Sequence, residues 1–155
     1  MAIEIEHKYL VSASAWGKIT DTEPVQIRQG YLQIDPNKTI RVRTKANQGF
    51  ITIKGKTKGA SRLEFEYEIP IADANELLDK FCSNLIEKMR HYVIHNGKTW
   101  EVDVFSGLNA GLIVAEIELT SEEETYTLPS WVTENVTNDV KYANSNLAIM
   151  PFAKW

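Results

Sequence analysis

Met1-Ala2-Ile3-Glu4-Ile5-Glu6-His7-Lys8-Tyr9-Leu10 is the stretch whose reading decides the fold. With a period of two it splits into Ile3, Ile5, His7 and Tyr9 on one face and Glu4, Glu6 and Lys8 on the other. In an extended strand the two carboxylates and the ammonium stand about 6–7 Å apart along one side. A carboxylate pair at that spacing can hold a hard divalent cation, and the lysine one step on can meet an anion bound to it. The same pattern also suits the solvated face of an amphipathic edge strand.

The alternation returns along the chain. Arg41 shares a face with Arg43, Thr52 with Lys54, and Arg62 with Glu64, Glu66 and Glu68. Lys88 with Arg90, Glu101 with Asp103 and Glu116 with Glu118 repeat it. Ordinary solvent faces mix Thr, Ser, Gln and Lys with charges. Here nearly every strand carries a charged pair of one sign, in blocks of acid and blocks of base, which is the pattern of a lining.

The chain has 155 residues, a net charge of −4 and one cysteine. That length is one domain, residues 1–155, with a real core. The charge argues against a nucleic-acid or membrane surface. Cys82 excludes an internal disulfide and reads as an apolar helix residue. The charged strand at the start reads as no signal peptide, and no apolar run approaches the roughly 20 residues of a spanning helix. The expected compartment is the cytoplasm.

Patterning predicts strands over 2–11, 25–34, 38–45, 50–56, 62–69, 86–94, 98–105 and 111–119. A short helix capped by Ser12 is expected after the first, with Gly30 marking a bulge in the second. Ala46-Asn47-Gln48-Gly49 and His95-Asn96-Gly97 are hairpin connections. Leu77, Leu78, Phe81, Cys82 and Leu85 recur at helical spacing and predict one good helix over 72–83. The tail holds loops and a short helix around 142–148. Eight antiparallel strands with short links can close a barrel and remove exposed edges. Periodicity leaves open which face is inside. A dry interior would not hold so many ions, so an inward-charged barrel must be wet and must bind charged ligands.

These blocks resemble a known family. Glu4-Ile5-Glu6-His7-Lys8 is similar to the Glu-x-Glu-x-Lys signature of the CYTH superfamily, the triphosphate tunnel metalloenzymes. Arg41-Val42-Arg43, Lys54, Arg62-Leu63-Glu64-Phe65-Glu66, Lys88-Met89-Arg90, Glu101-Val102-Asp103 and Glu116-Ile117-Glu118 follow in the family's order, so the likeness runs from Ile3 to about Tyr142. It implies a mainly β (α+β) fold: an eight-stranded antiparallel closed barrel with a charged interior and a few helices outside.

The resemblance implies a basic clamp of Lys8, Arg41, Arg43, Lys54, Lys88 and Arg90, with Arg62 and Lys141 added, for a triphosphate. It implies Mg²⁺ or Mn²⁺ on Glu4, Glu6, Asp103, Glu116 and Glu118. Glu64 and Glu66 serve a second metal or balance the arginines. Lys88 and Tyr31 are the candidates beside an attacking water, Lys88 with its pKa lowered by Arg90. The implied activity is metal-dependent hydrolysis of inorganic triphosphate, extending to nucleoside triphosphates, as in small bacterial-type inorganic triphosphatases. The rivals are a class IV adenylate cyclase, a thiamine triphosphatase helped by an aromatic contact such as Trp16, and a polyphosphate-binding module without turnover. His7, His91 and His95 and the four tryptophans read as structural. The partner is a small molecule, with a homodimer left open.

Overall fold

The computed structural model describes residues 3–19 and 21–155, so the Ala2 start expected for the first strand lies outside the described residues. The strands are β1 (Ile3–Val11), β2 (Val25–Asp35), β3 (Lys38–Lys45), β4 (Gln48–Gly55), β5 (Ser61–Ile69), β6 (Ile86–His95), β7 (Lys98–Phe105), β8 (Ile113–Glu118) and β9 (Val132–Asn135). The α-helices are α1 (Ala13–Trp16), α2 (Ile71–Phe81) and α3 (Asn144–Ile149). The strands pair antiparallel in the order β5-β4-β3-β2-β6-β7-β8-β1, and β1 returns to β5 through Ile3↔Leu63, Glu4↔Arg62 and Ile5↔Ser61. This is the expected eight-stranded closed barrel. β9, which patterning did not predict, lies against β1 outside the ring. Four residues are too few to show alternation.

Local chemistry explains most connections. Ser12 caps α1 by accepting from the Ala15 amide at 3.3 Å. Asn96 and Gly97 take φ of 49° and 77°, the left-handed pair of a tight hairpin. The β3–β4 turn is shorter than expected: Ala46 adopts φ 51°, leaving only Ala46 and Asn47 between the strands. Gly30 is not the bulge. The register of β2 shifts between Tyr31 and Gln33, and Gly30 is needed for packing. A Cβ there would stand 2.7 Å from Cys82 Cβ and Leu85 Cδ2.

The apolar side chains form layers around the bore. Tyr9, Trp100, Val102, Ala115 and Ile117 point outward from β1, β7 and β8 and are covered by Trp131 and the partly buried Trp16. Val42, Ala74 and Leu78 join α2 to the barrel wall, with Cys82 half-buried at the edge. The inward positions are charged along most of the barrel and turn apolar at one end. Ile86, Phe105 and Val114 share parity with Lys88, Asp103 and Glu116, and Leu147 and Ala148 of α3 pack on them. That end is stoppered. Among the described residues, no helix is long and apolar enough to cross a membrane.

Candidate active site

Strand parity brings the charges together. Glu4, Glu6 and Lys8 of β1, Arg41, Arg43 and Lys45 of β3, and Lys54 of β4 face a central cavity of about 240 Å³. Arg62, Glu64 and Glu66 of β5, Lys88 and Arg90 of β6, Glu101 of β7, and Glu116 and Glu118 of β8 complete its charged lining. Tyr31 joins from β2, its ring packed on the apolar stopper. The signs segregate. Carboxylates dominate β1, β7 and β8; guanidinium and ammonium groups dominate β3, β4 and β6.

On the acidic wall, Glu6 pairs in register with Glu118, and Lys8 with Glu116. Burial, then Glu116 and Glu4 nearby, push the Glu6 carboxyl up to about 8. Burial and contact with Glu64 raise Glu4; burial and the charges of Glu4 and Glu116 raise Glu118. Glu116 goes the other way. Its burial would raise it, but Lys8, Arg90 and Lys88 hold it well below the usual carboxylate range. Among the described residues, no three acidic, histidine or cysteine side chains converge into a preformed ion cage.

On the basic wall, Lys54 bridges Glu4 and Glu64, each at 3.0 Å. Glu66 accepts from Arg41 at 3.3 Å, Arg43 at 3.5 Å and the Thr52 hydroxyl at 2.9 Å. Glu64 and Glu66 therefore both stand in ion pairs with the clamp. Burial, then Arg41 and Arg90, lower the Arg43 guanidinium to about 10, although Glu66 and Glu101 oppose the shift.

Two expected site residues do not reach the cavity lining. Asp103 is fully buried and takes both Arg90 Nε and Nη2, at 2.7 and 2.8 Å, and Lys88 Nζ at 2.8 Å. Its oxygens are occupied by cations, so it lies behind Lys88 and Arg90 and pins both. Lys141 holds its ammonium over the Trp155 ring at 4.5 Å and the Tyr142 ring at 5.4 Å. Conversely, Glu101 lines the cavity and accepts from Arg90 at 2.8 Å; its shared parity with Asp103 was the signal. Asn144, at the start of α3, also lines the cavity and accepts from Lys88 at 3.3 Å. The Tyr142 carbonyl accepts from Lys8 at 3.3 Å. No local motif announces either contact. Trp16 packs outside the barrel on His91 and Trp131, away from any substrate in the bore. His7 bonds Tyr126 and His91 bonds Thr22.

A family model described as the CYTH domain matches residues 2–147. The chain belongs to the CYTH family. Within that family it is 45% identical, over 98% of its length and 97% of the relative's, to an inorganic triphosphatase of Acetivibrio thermocellus. It is 33% identical to an inorganic triphosphatase of Nitrosomonas europaea, over 94% of this chain and 97% of the relative. A crystal structure of an inorganic triphosphatase superposes with a TM-score of 0.68 at 30% identity, covering 96% of each chain. The inward charges of this CYTH chain thus sit in a scaffold shared along nearly its whole length.

Proposed function

We propose that this chain, as one tunnel domain over residues 1–155, is a cytoplasmic metal-dependent triphosphatase that hydrolyses inorganic triphosphate. The observation that carries the reading is the sign-segregated bore, with a crowded basic wall facing a crowded acidic one. Full-length identity to two inorganic triphosphatases supports it.

The donor set fits a hard divalent ion. Glu4, Glu6, Glu116 and Glu118 offer only oxygen, on adjacent strands, and three of the four resist ionisation, first because they are buried and then because other carboxylates crowd them. A dication offsets that repulsion, and oxygen ligands suit Mg²⁺ or Mn²⁺. When bound, the ion supplies charge neutralisation at phosphate oxygens and acidifies water.

The chain's own groups do the rest. Arg41, Arg43 and Arg90 offer planar forks to phosphate oxygens, and Lys8, Lys54 and Arg62 add charge. These contacts hold the phosphate chain along the bore and stabilise the charge that spreads over the terminal phosphoryl group. Lys88 and Tyr31 sit towards the stoppered end, where water attacks the terminal phosphorus in line with the leaving pyrophosphate. Burial, opposed by Asp103 and reinforced by Arg90, lowers the Lys88 amine to about 8, so a neutral fraction exists to accept the water's proton.

The test is incubation with tripolyphosphate, ATP or thiamine triphosphate, each with Mg²⁺ and with Mn²⁺. Orthophosphate from tripolyphosphate, strictly dependent on the ion, is the expected result. Cyclic AMP and pyrophosphate from ATP would assign the bore to a cyclase. Tight tripolyphosphate binding without product would assign it to a binding module.

A further inference from the structure

Gln29 is buried completely, between Ile27 and Tyr31 on the inward face of β2. Its Nε2 donates to the Tyr31 hydroxyl at 3.3 Å, while its Oε1 has no hydrogen-bond partner among the described residues. Directly across on β3 is Arg43, whose buried Nε–H also lacks an acceptor among the described residues. Packing does not call for an amide here, since Ile86, its register partner on β6, is apolar and buried. An amide buried with its oxygen unpaired is unfavourable, so its presence needs a compensating role.

We propose that Gln29 is a positioning residue that acts through Tyr31. A phenol oxygen that accepts from Nε2 keeps its own hydrogen for another acceptor. The ring is fixed against the apolar stopper, so that hydrogen is directed away from Gln29 and into the cavity that Tyr31 lines. Tyr31 then meets an oxygen of the terminal phosphate, or of the attacking water, as a donor. The two unpaired atoms hold the amide in this orientation. Gln29 and Arg43 are cross-strand register partners, so the far end of the amide and the guanidinium share one part of the lining. Turning the amide over would set its NH₂ against the guanidinium, donor against donor.

The inference rests on reading Tyr31 as a group that meets substrate, and its test separates the two. Steady-state tripolyphosphate hydrolysis and melting temperatures are measured for wild type, Gln29→Met, Tyr31→Phe and the double variant. Gln29→Met is expected to lower kcat about tenfold or more while leaving KM within about twofold. In the Tyr31→Phe background it should lower kcat no further. An unchanged kcat in Gln29→Met, or the same fractional loss in both backgrounds, overturns the proposal. Gln29→Glu preserves shape but accepts from the phenol and turns its hydrogen away from the cavity; wild-type kcat in that variant also overturns it. If Tyr31→Phe alone keeps wild-type kcat, the reading of Tyr31 has failed and the inference falls with it. A crippled Tyr31→Phe with additive losses sinks the inference alone.

Discussion

Glu6 shows how a functional wall costs stability at the scale of one residue. Its carboxyl, pushed up to about 8 by burial and by Glu116 and Glu4, binds a proton more tightly in the folded than in the unfolded chain. Between about pH 4.5 and pH 8 the folded state therefore holds more protons, and stability falls as pH rises through that window. Glu6→Gln removes the slope. Metal-free Glu6→Gln should melt about 3 °C or more above wild type at pH 8, should differ less at pH 5, and should lose ion-dependent turnover. Equal melting curves at pH 8 would show that the acidic wall is not strained. At Lys88 the sign is read in the rate. The amine, lowered to about 8 chiefly by burial, accepts a proton only when neutral, so kcat should climb through about pH 8 and then level. Glu6 titrates in the same region, but saturating Mg²⁺ displaces its proton and removes that limb. At saturating metal the limb should remain in wild type and vanish in Lys88→Met, with kcat about 10²–10⁴-fold lower. A limb that survives the substitution would take the base role from Lys88.

At the scale of elements, the barrel depends on two close approaches to the sheet, one by α2 and one by the segment that follows it. A Cβ at Gly49 would lie 2.6 Å from Ala74 Cβ, and one at Gly30 would lie 2.7 Å from Cys82 Cβ and Leu85 Cδ2. Gly30→Ala should destabilise by about 1–3 kcal/mol through overpacking, read as a lower denaturant midpoint with an unchanged slope. A wild-type midpoint would mean that the segment from α2 to β6 yields freely. Because Gly30 precedes Tyr31, a displaced β2 should also lower kcat. Asn96-Gly97 illustrates the opposite case, where a local turn preference and the observed hairpin coincide. Local propensity governs a tight turn, whereas Gly30 answers to a neighbour more than fifty positions away.

At the scale of the whole molecule the bore is close to electrically balanced. Among the described residues, eight cationic and seven anionic side chains line it, with Asp103 behind. A triphosphate brings roughly four negative charges near neutral pH, more than a balanced lining can neutralise. Ion and substrate should therefore bind cooperatively. In Lys88→Met, where turnover is slow, Mg²⁺ and tripolyphosphate together should raise the melting temperature by more than the sum of their separate shifts. Strictly additive shifts would contradict the coupling. By itself, the chain determined the period-two charge pattern, the eight strands of the ring, the main helix and most of the cavity lining, because a strand's side-chain direction follows from parity alone. Only the tertiary structure decided which parity faces inward, that Asp103 lies behind its cations, that Asn144 faces the bore, and that α3 stoppers one end. Those outcomes depend on which strands become neighbours and where the tail returns, and closing the ring is what turns seven separate charged faces into one wet interior.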